Sequence, residues 1–359
     1  MELFIKEHEG PAHETQVPLC DFLPGFSKKV FQNRIKIRRY ETKRHVIKKL
    51  QKTEGIRMEE TQNKLTRKEF DILEALIGAD GTVSQRMLGE SCGLSAATVN
   101  RLLKELSEKN LVRDGGITGA GRACMEQYRV KKAVFIAAGF GSRLVPVTLN
   151  TPKPLVRVNG VRMIDGLIDA VLALGIEDIV IVRGYLAGQF DELLKKYPML
   201  RFVDNPDYNE ANNIASALAV REELGNAYVF EADLLLKNPK ILKKYHYSSD
   251  FLAFYTDRTD DWCFEVENGI IRTEKFGGLS CYQMVGISYW NEEDGKKLAA
   301  HLPMAYALPG GRERYWEQVP LSVYAGDYEV SICECAPGDV IEIDTFRELK
   351  AIDPAYGVQ

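Results

Sequence analysis

Apolar and polar positions follow two different rhythms along this chain. From about residue 130 onward, short apolar and β-branched runs (Ala133-Val134-Phe135-Ile136, Ile179-Val180-Ile181-Val182, Tyr228-Val229-Phe230) are separated by stretches with helical spacing. The pattern predicts strands at 131–137, 178–183, 200–204 and 227–232, and helices near 162–175, 187–197 and 211–224. Strands of this apolar kind alternating with helices make a mostly parallel sheet covered on both faces. Ligands of such sheets sit beyond the carboxyl ends of the strands.

Between 61 and 129 the helical period dominates. Thr66-Arg67-Lys68-Glu69 has the form of a capping box, and Phe70, Leu73 and Ile77 continue one helical stripe. Ser84 opens a second helix, Gly93 makes a turn, and Ser95 caps a third helix carrying Val99, Leu102, Leu103 and Leu106. Asp114-Gly115-Gly116 between two short apolar pairs signals a hairpin. Three helices and a hairpin in this order resemble the MarR-like winged-helix modules of bacterial regulators. That resemblance implies possible DNA contact through residues 84–118, with Ser95, Ala96, Thr98, Asn100 and Arg101 facing a groove. Acids nearly balance bases here, so a dimerisation or regulatory appendage is the alternative.

Residues 1–60 differ from both. Lys28 to Arg57 is crowded with Lys and Arg, opposed only by Glu41 and Glu54. Such a stretch reads as a solvated helix or tail, or as a basic arm for nucleic acid. A natural start at Met58 is a third expectation. The expected division is therefore a basic extension at 1–60, a winged helix at 61–129 and an α/β domain at 130–359.

Composition narrows the classes. A chain of 359 residues with 45% hydrophobic and 27% charged residues has an ordinary globular balance. A net charge of −4 argues against whole-chain attraction to nucleic acid. No apolar run approaches the roughly 20 residues of a membrane helix, and the first residues lack a signal-peptide pattern. Seven cysteines are scattered without zinc-site spacing, so they read as reduced thiols of a cytoplasmic protein.

The candidate chemistry gathers after the first strand of the α/β segment. Ala137-Ala138-Gly139-Phe140-Gly141-Ser142-Arg143 is a small-residue loop, followed by Thr151-Pro152-Lys153-Pro154-Leu155. Glycines let backbone N–H groups approach phosphate closely, and Arg143 and Lys153 add positive charge there. Asp233 ends the apolar strand Tyr228–Ala232, and Asp344 lies in the apolar, alternating run Val340–Thr345. Acids in apolar strands are costly unless they have a partner or a ligand. Two carboxylates beside phosphate oxygens suit Mg²⁺. Glu342 alternates to the same face as Asp344 and is a second candidate.

G-x-G-S-R-L followed by P-K-P-L resembles the signature of nucleotidyltransferases that activate a phosphorylated small molecule with an NTP. Further phrases resemble the bacterial CTP:phosphocholine cytidylyltransferase branch: Asn205-Pro206-Asp207-Tyr208, Asn212-Asn213-Ile214-Ala215-Ser216, Thr259-Asp260-Asp261-Trp262, Lys275-Phe276-Gly277-Gly278, Tyr315-Trp316-Glu317 and Glu342-Ile343-Asp344-Thr345. The resemblance implies catalytic Arg143 and Lys153. It also implies a nucleotide site at Ala138, Gly139, Gly141, Ser142, Asn205, Asn212 and Asn213, and metal ligands Asp233 and Asp344. An acceptor site at Trp262, Lys275, Tyr289, Trp316 and Glu317 would supply aromatic faces and an acid for a quaternary ammonium. The expected reaction joins CTP and phosphocholine into CDP-choline and pyrophosphate. The alternatives are UTP or dTTP as nucleotide, and phosphoethanolamine, 2-aminoethylphosphonate or a sugar 1-phosphate as acceptor. A nucleotide-sensing regulator is the alternative of another class, and a homodimer is compatible with both modules.

Overall fold

The computed structural model describes residues 64–79 and 83–357. The expectations for residues 1–60, including the start at Met58, lie outside the described residues.

The winged helix is built as its caps dictate. Helix α1 (Arg67–Gly78) starts at Thr66, whose hydroxyl accepts from the Glu69 N–H while the Glu69 carboxylate takes the Thr66 N–H at 2.8 Å. Helix α2 (Gln85–Cys92) is capped by Ser84 and stops at Gly93, which adopts φ +64. Helix α3 (Ala96–Glu108) begins at Ser95. A two-strand wing, β1 (Val112–Arg113) and β2 (Gly116–Ile117), turns through Asp114 and Gly115, both with positive φ. Helix α4 (Gly119–Met125) closes the module. Phe70, Leu73, Leu88, Val99, Leu102, Leu106 and Met125 fill its core. Asn100, Arg101 and Lys104 face solvent on α3, and Arg101 is paired with Glu105.

The second architecture is a twisted mixed sheet. Its strands are β3 (Lys132–Ile136), β6 (Asp178–Arg183), β7 (Arg201–Asp204), β8 (Ala227–Glu231), β10 (Asp250–Glu267), β11 (Ile270–Trp290) and β12 (Ser331–Glu334). Their order is β10-β12-β11-β8-β3-β6-β7. Strands β8, β3, β6 and β7 run parallel, with Val134 paired to both Val180 and Val229. Short pairs β4 (Arg157–Val158) with β5 (Val161–Arg162), and β9 (Leu234–Leu236) with β13 (Val340–Glu342), lie outside it. Helix α5 (Met163–Ala173) buries Ile164, Leu167, Ile168 and Val171 on one face of the sheet. Helices α6 (Ile214–Ala219) and α7 (Glu292–Tyr306) pack on the other, around Val134, Val180, Val229 and Trp290. Helix α8 (Phe346–Ile352) follows β13.

Two expectations change form. The stretch expected as a helix near 187–197 is a 3₁₀ helix at Ala187–Lys195. That expected near 211–224 is the short α6 followed by a 3₁₀ turn at Arg221–Glu223. Strands β10 and β11, 18 and 21 residues long, form a ribbon that bends through several register shifts. Those shifts break strict alternation, so neither strand stands out in the sequence.

The winged helix rests on the sheet domain. Tyr247 meets Phe70 and Tyr128 with ring centroids 5.6 and 5.8 Å away, and the Arg67 guanidinium lies 5.6 Å over its ring. Backbone bonds from Val130 to Lys244 and from His246 to Tyr128 continue the seam. Among the described residues, no helix is long and apolar enough to cross a membrane.

Candidate active site

Strand β3 ends at Ile136 and the chain turns through 137–141, where Ala137 donates to the Val182 carbonyl at 2.9 Å. Gly141 adopts φ +62, and a β-carbon there would lie 2.8 Å from that of Lys153. The bare backbone of the loop therefore lets the Pro152-Lys153-Pro154 turn close against it. Thr148 fixes the arrangement by donating to the Gly141 carbonyl at 2.8 Å.

These elements open a cavity of about 420 Å³ at the carboxyl ends of β3 and β8. That is a normal size for a small-molecule site. Gly139, Gly141, Ser142, Arg143 and Lys153 line it. Lys153 is buried, with its ammonium 2.6 Å from Asp233 and 2.9 Å from Asp344. Burial pulls its pKa down, but the two carboxylates outweigh burial and raise it. Burial likewise pushes Asp344 up, and Lys153 outweighs it, so Asp344 is held below the usual carboxylate range. Arg143, more exposed, reaches Asp344 at 2.8 Å.

A second acidic group overlaps this one. Carboxylate oxygens of Glu231, Asp233 and Glu342 all lie within 4.8 Å of one another. One Asp233 oxygen is buried with no hydrogen-bond partner. Burial and then the charges of Asp233 and Asp344 push Glu342 up to about 9. Crowded acids with an orphaned buried oxygen are a donor set that fits a hard divalent cation.

Aromatic side chains also line the cavity. Trp262, Phe276 and Tyr315 form an aromatic rim, Trp262 lying 5.8 Å from Phe276 and 5.6 Å from Tyr315 between ring centroids. Asp261, Glu274 and Glu317 line the same cavity. Glu317 is 3% exposed, and one of its oxygens has no partner. Burial pushes its carboxyl up to about 7. Asn212 and Asn213 also line the cavity. Asn213 accepts from the Trp316 N–H at 2.8 Å, and Asn212 donates to the Glu313 carbonyl. These bonds fasten the 312–317 segment, and with it Glu317, to the start of α6.

Five of the residues expected in the site lie elsewhere. Tyr289 is 1% exposed in the core, stacked on His246 at 4.3 Å, because its strand position faces α5's side of the sheet. Trp316 packs against Trp290 and Phe251, while its neighbours Tyr315 and Glu317 reach the cavity. Lys275 points away from the cavity to pair with Glu265, because adjacent strand residues face opposite sides and Glu274 takes the inner one. Asn205 is buried in a turn, accepting from the Asp207 N–H and donating to Ser216. Ala138 is also buried, its carbonyl accepting from Tyr185.

Sequence reading missed Glu231, Glu274, Tyr315 and Phe276. Glu231 had a usable signal. Glu231-Ala232-Asp233 and Glu342-Ile343-Asp344 repeat the same E-x-D spacing, which puts both acids of each phrase on one side of an extended chain.

Residues 132–261 match the nucleotidyl transferase family, and residues 63–123 match the MarR family. The chain is 36% identical over 241 residues to a 2-aminoethylphosphonate cytidylyltransferase of Lancefieldella rimae, covering 65% of this chain and 97% of that protein. It is 33% identical over 228 residues to the choline-phosphate cytidylyltransferase of Streptococcus pneumoniae, covering 62% and 96% respectively. The solved structure of a Streptococcus pneumoniae CTP:phosphocholine cytidylyltransferase superposes with a TM-score of 0.57 at 30% identity, over 63% of this chain and 99% of that one.

Proposed function

The chain belongs to the cytidylyltransferases of the nucleotidyl transferase family, with a MarR family winged helix ahead of the transferase residues, and on that premise we propose that it transfers CMP from CTP to a small acceptor joining a phosphoryl or phosphonyl group to a cationic nitrogen. Phosphocholine, phosphoethanolamine and 2-aminoethylphosphonate all have this form. The observation that carries the reading is one cavity lined both by Lys153, held between Asp233 and Asp344, and by the aromatic side chains with Glu317.

The acceptor's own phosphoryl oxygen is the nucleophile. A new P–O bond forms to the α-phosphorus of CTP, and the bond to the departing pyrophosphate breaks. No covalent enzyme intermediate is needed. Backbone N–H groups of Gly139, Gly141 and Ser142, with the Arg143 guanidinium, hold the triphosphate oxygens. Lys153 lies where charge changes at the α-phosphate and stabilises the transferring group. Mg²⁺, held by Asp233 and Asp344 with Glu342 beside them, would supply further charge neutralisation at the phosphates. Trp262, Tyr315 and Glu317 hold the cationic end, which turns the phosphoryl end toward the nucleotide.

The test is pyrophosphate release from CTP with acceptor and a divalent cation. Lys153→Met and Asp233→Asn each lower the rate by about 100-fold or more, the loss typical of one transition-state contact. Folded variants that keep more than a tenth of the wild-type rate would overturn these assignments.

A further inference from the structure

Glu231 stands among the crowded acids beside Asp233 but outside the Asp233, Asp344 and Glu342 set assigned to Mg²⁺, and it has a second acid neighbour. It ends β8 and lines the cavity beside Asp233. Its carboxyl also meets that of Glu317 at hydrogen-bonding range. The space it occupies exists because residue 286 is glycine. A β-carbon there would lie 2.7 Å from a Glu231 oxygen, and Gly286 adopts φ +67. Two carboxyls thus converge on one buried spot beside the cavity, and one buried Glu317 oxygen has no partner. A pair of buried carboxyls is costly unless something donates hydrogen bonds to it. A quaternary ammonium has no N–H to donate and is satisfied by aromatic faces. A primary ammonium has three.

Resting on the cytidylyltransferase reading, we propose that Glu231 is a specificity-determining residue. With Glu317 it forms a two-carboxyl cradle that selects acceptors whose ammonium carries N–H groups over those with a quaternary nitrogen. Gly286 provides the clearance, and Asn213 holds the segment that carries Glu317. The aromatic rim then covers the ammonium rather than enclosing it. Tyr289 and Trp316 are in the core and take no part in covering it.

The experiment measures kcat and KM of the full-length protein with CTP, comparing 2-aminoethylphosphonate and phosphoethanolamine with phosphocholine. Wild type favours the primary ammonium acceptors by at least about 10-fold in kcat/KM. Glu231→Gln lowers kcat/KM for them about 10- to 100-fold more than it lowers that for phosphocholine, mainly through KM. Gly286→Ala, which crowds the same carboxyl, reproduces the pattern. Mn²⁺ binding to the variant, followed by electron paramagnetic resonance without turnover, stays at the wild-type affinity. Equal loss on all acceptors, or weakened Mn²⁺ binding, overturns the proposal by assigning Glu231 to the metal end. So does a wild type that prefers phosphocholine. A wild type inactive with CTP and every acceptor fails at the earlier step and removes the cytidylyltransferase reading itself.

Discussion

Lys153 is the residue on which most of the site turns. It is nearly fully buried between two carboxylates, an arrangement in which attraction must offset the cost of leaving water. Removing one member of such a group typically costs about 3–5 kcal/mol, because the rest stay buried and uncompensated. Glu74, on the helix of the winged helix nearest the sheet domain, shows the same physics with the opposite outcome. Burial pushes its carboxyl up by more than the nearby Lys243 and His246 pull it down. A carboxyl raised in the folded state contributes stability that is present at low pH and is lost as pH rises through its folded value. Glu74→Gln therefore melts like the wild type near about pH 4 and at higher temperature near about pH 8. Melting curves that stay parallel across this range contradict the assignment. At this scale the sequence yields the loop, Lys153, Asp233, Asp344, Trp262 and Glu317 as cavity residues, because each belongs to a phrase with a chemical purpose. It misplaces Tyr289, Trp316 and Lys275, because residue type does not say which face of a strand or turn a side chain occupies. Strand parity does, and parity is hidden wherever a bulge intervenes.

At the scale of elements, the capping signals translate directly. Thr66, Ser84 and Ser95 each accept from a backbone N–H in the first turn of their helix, and Gly93 ends α2 in the left-handed region. The four parallel strands are equally legible from their apolar runs. The β10–β11 ribbon is not, since Gly277, Gly278 and repeated register shifts interrupt its pattern. Yet this ribbon delivers Asp261, Trp262, Glu274 and Phe276 to the cavity. Long-range pairing fixes it rather than local preference. The seam between winged helix and sheet is also invisible in sequence, because Tyr247 gains its partners only in three dimensions. Each aromatic contact of this kind contributes about 0.5–1.5 kcal/mol beyond area burial. Tyr247→Ala loosens the seam, so the winged-helix residues are cut faster by protease while pyrophosphate release stays within about two-fold. Unchanged proteolysis would show that the backbone bonds at Val130 and His246 suffice to hold it.

For the whole molecule, topology explains where the chemistry is. Strand β3 lies between β8 and β6, and the glycine loop leaves its carboxyl end beside the end of β8. Nucleotide-binding sheets of this class place ligands at that edge. The MarR family match and the solvent-facing side of α3 keep DNA contact through residues 84–118 as a proposal that is separate from catalysis. The central claim is that one cavity joins a CTP end to a cationic-acceptor end. The most direct measurement crosses CTP, UTP, dTTP and ATP with phosphocholine, phosphoethanolamine, 2-aminoethylphosphonate and glucose 1-phosphate, and reads pyrophosphate release for every pair. A cytidylyltransferase with this site gives its maximum in the CTP row with the nitrogen-bearing acceptors and little with glucose 1-phosphate. A maximum at the sugar phosphate or with another nucleotide, or no release from any pair, would contradict it.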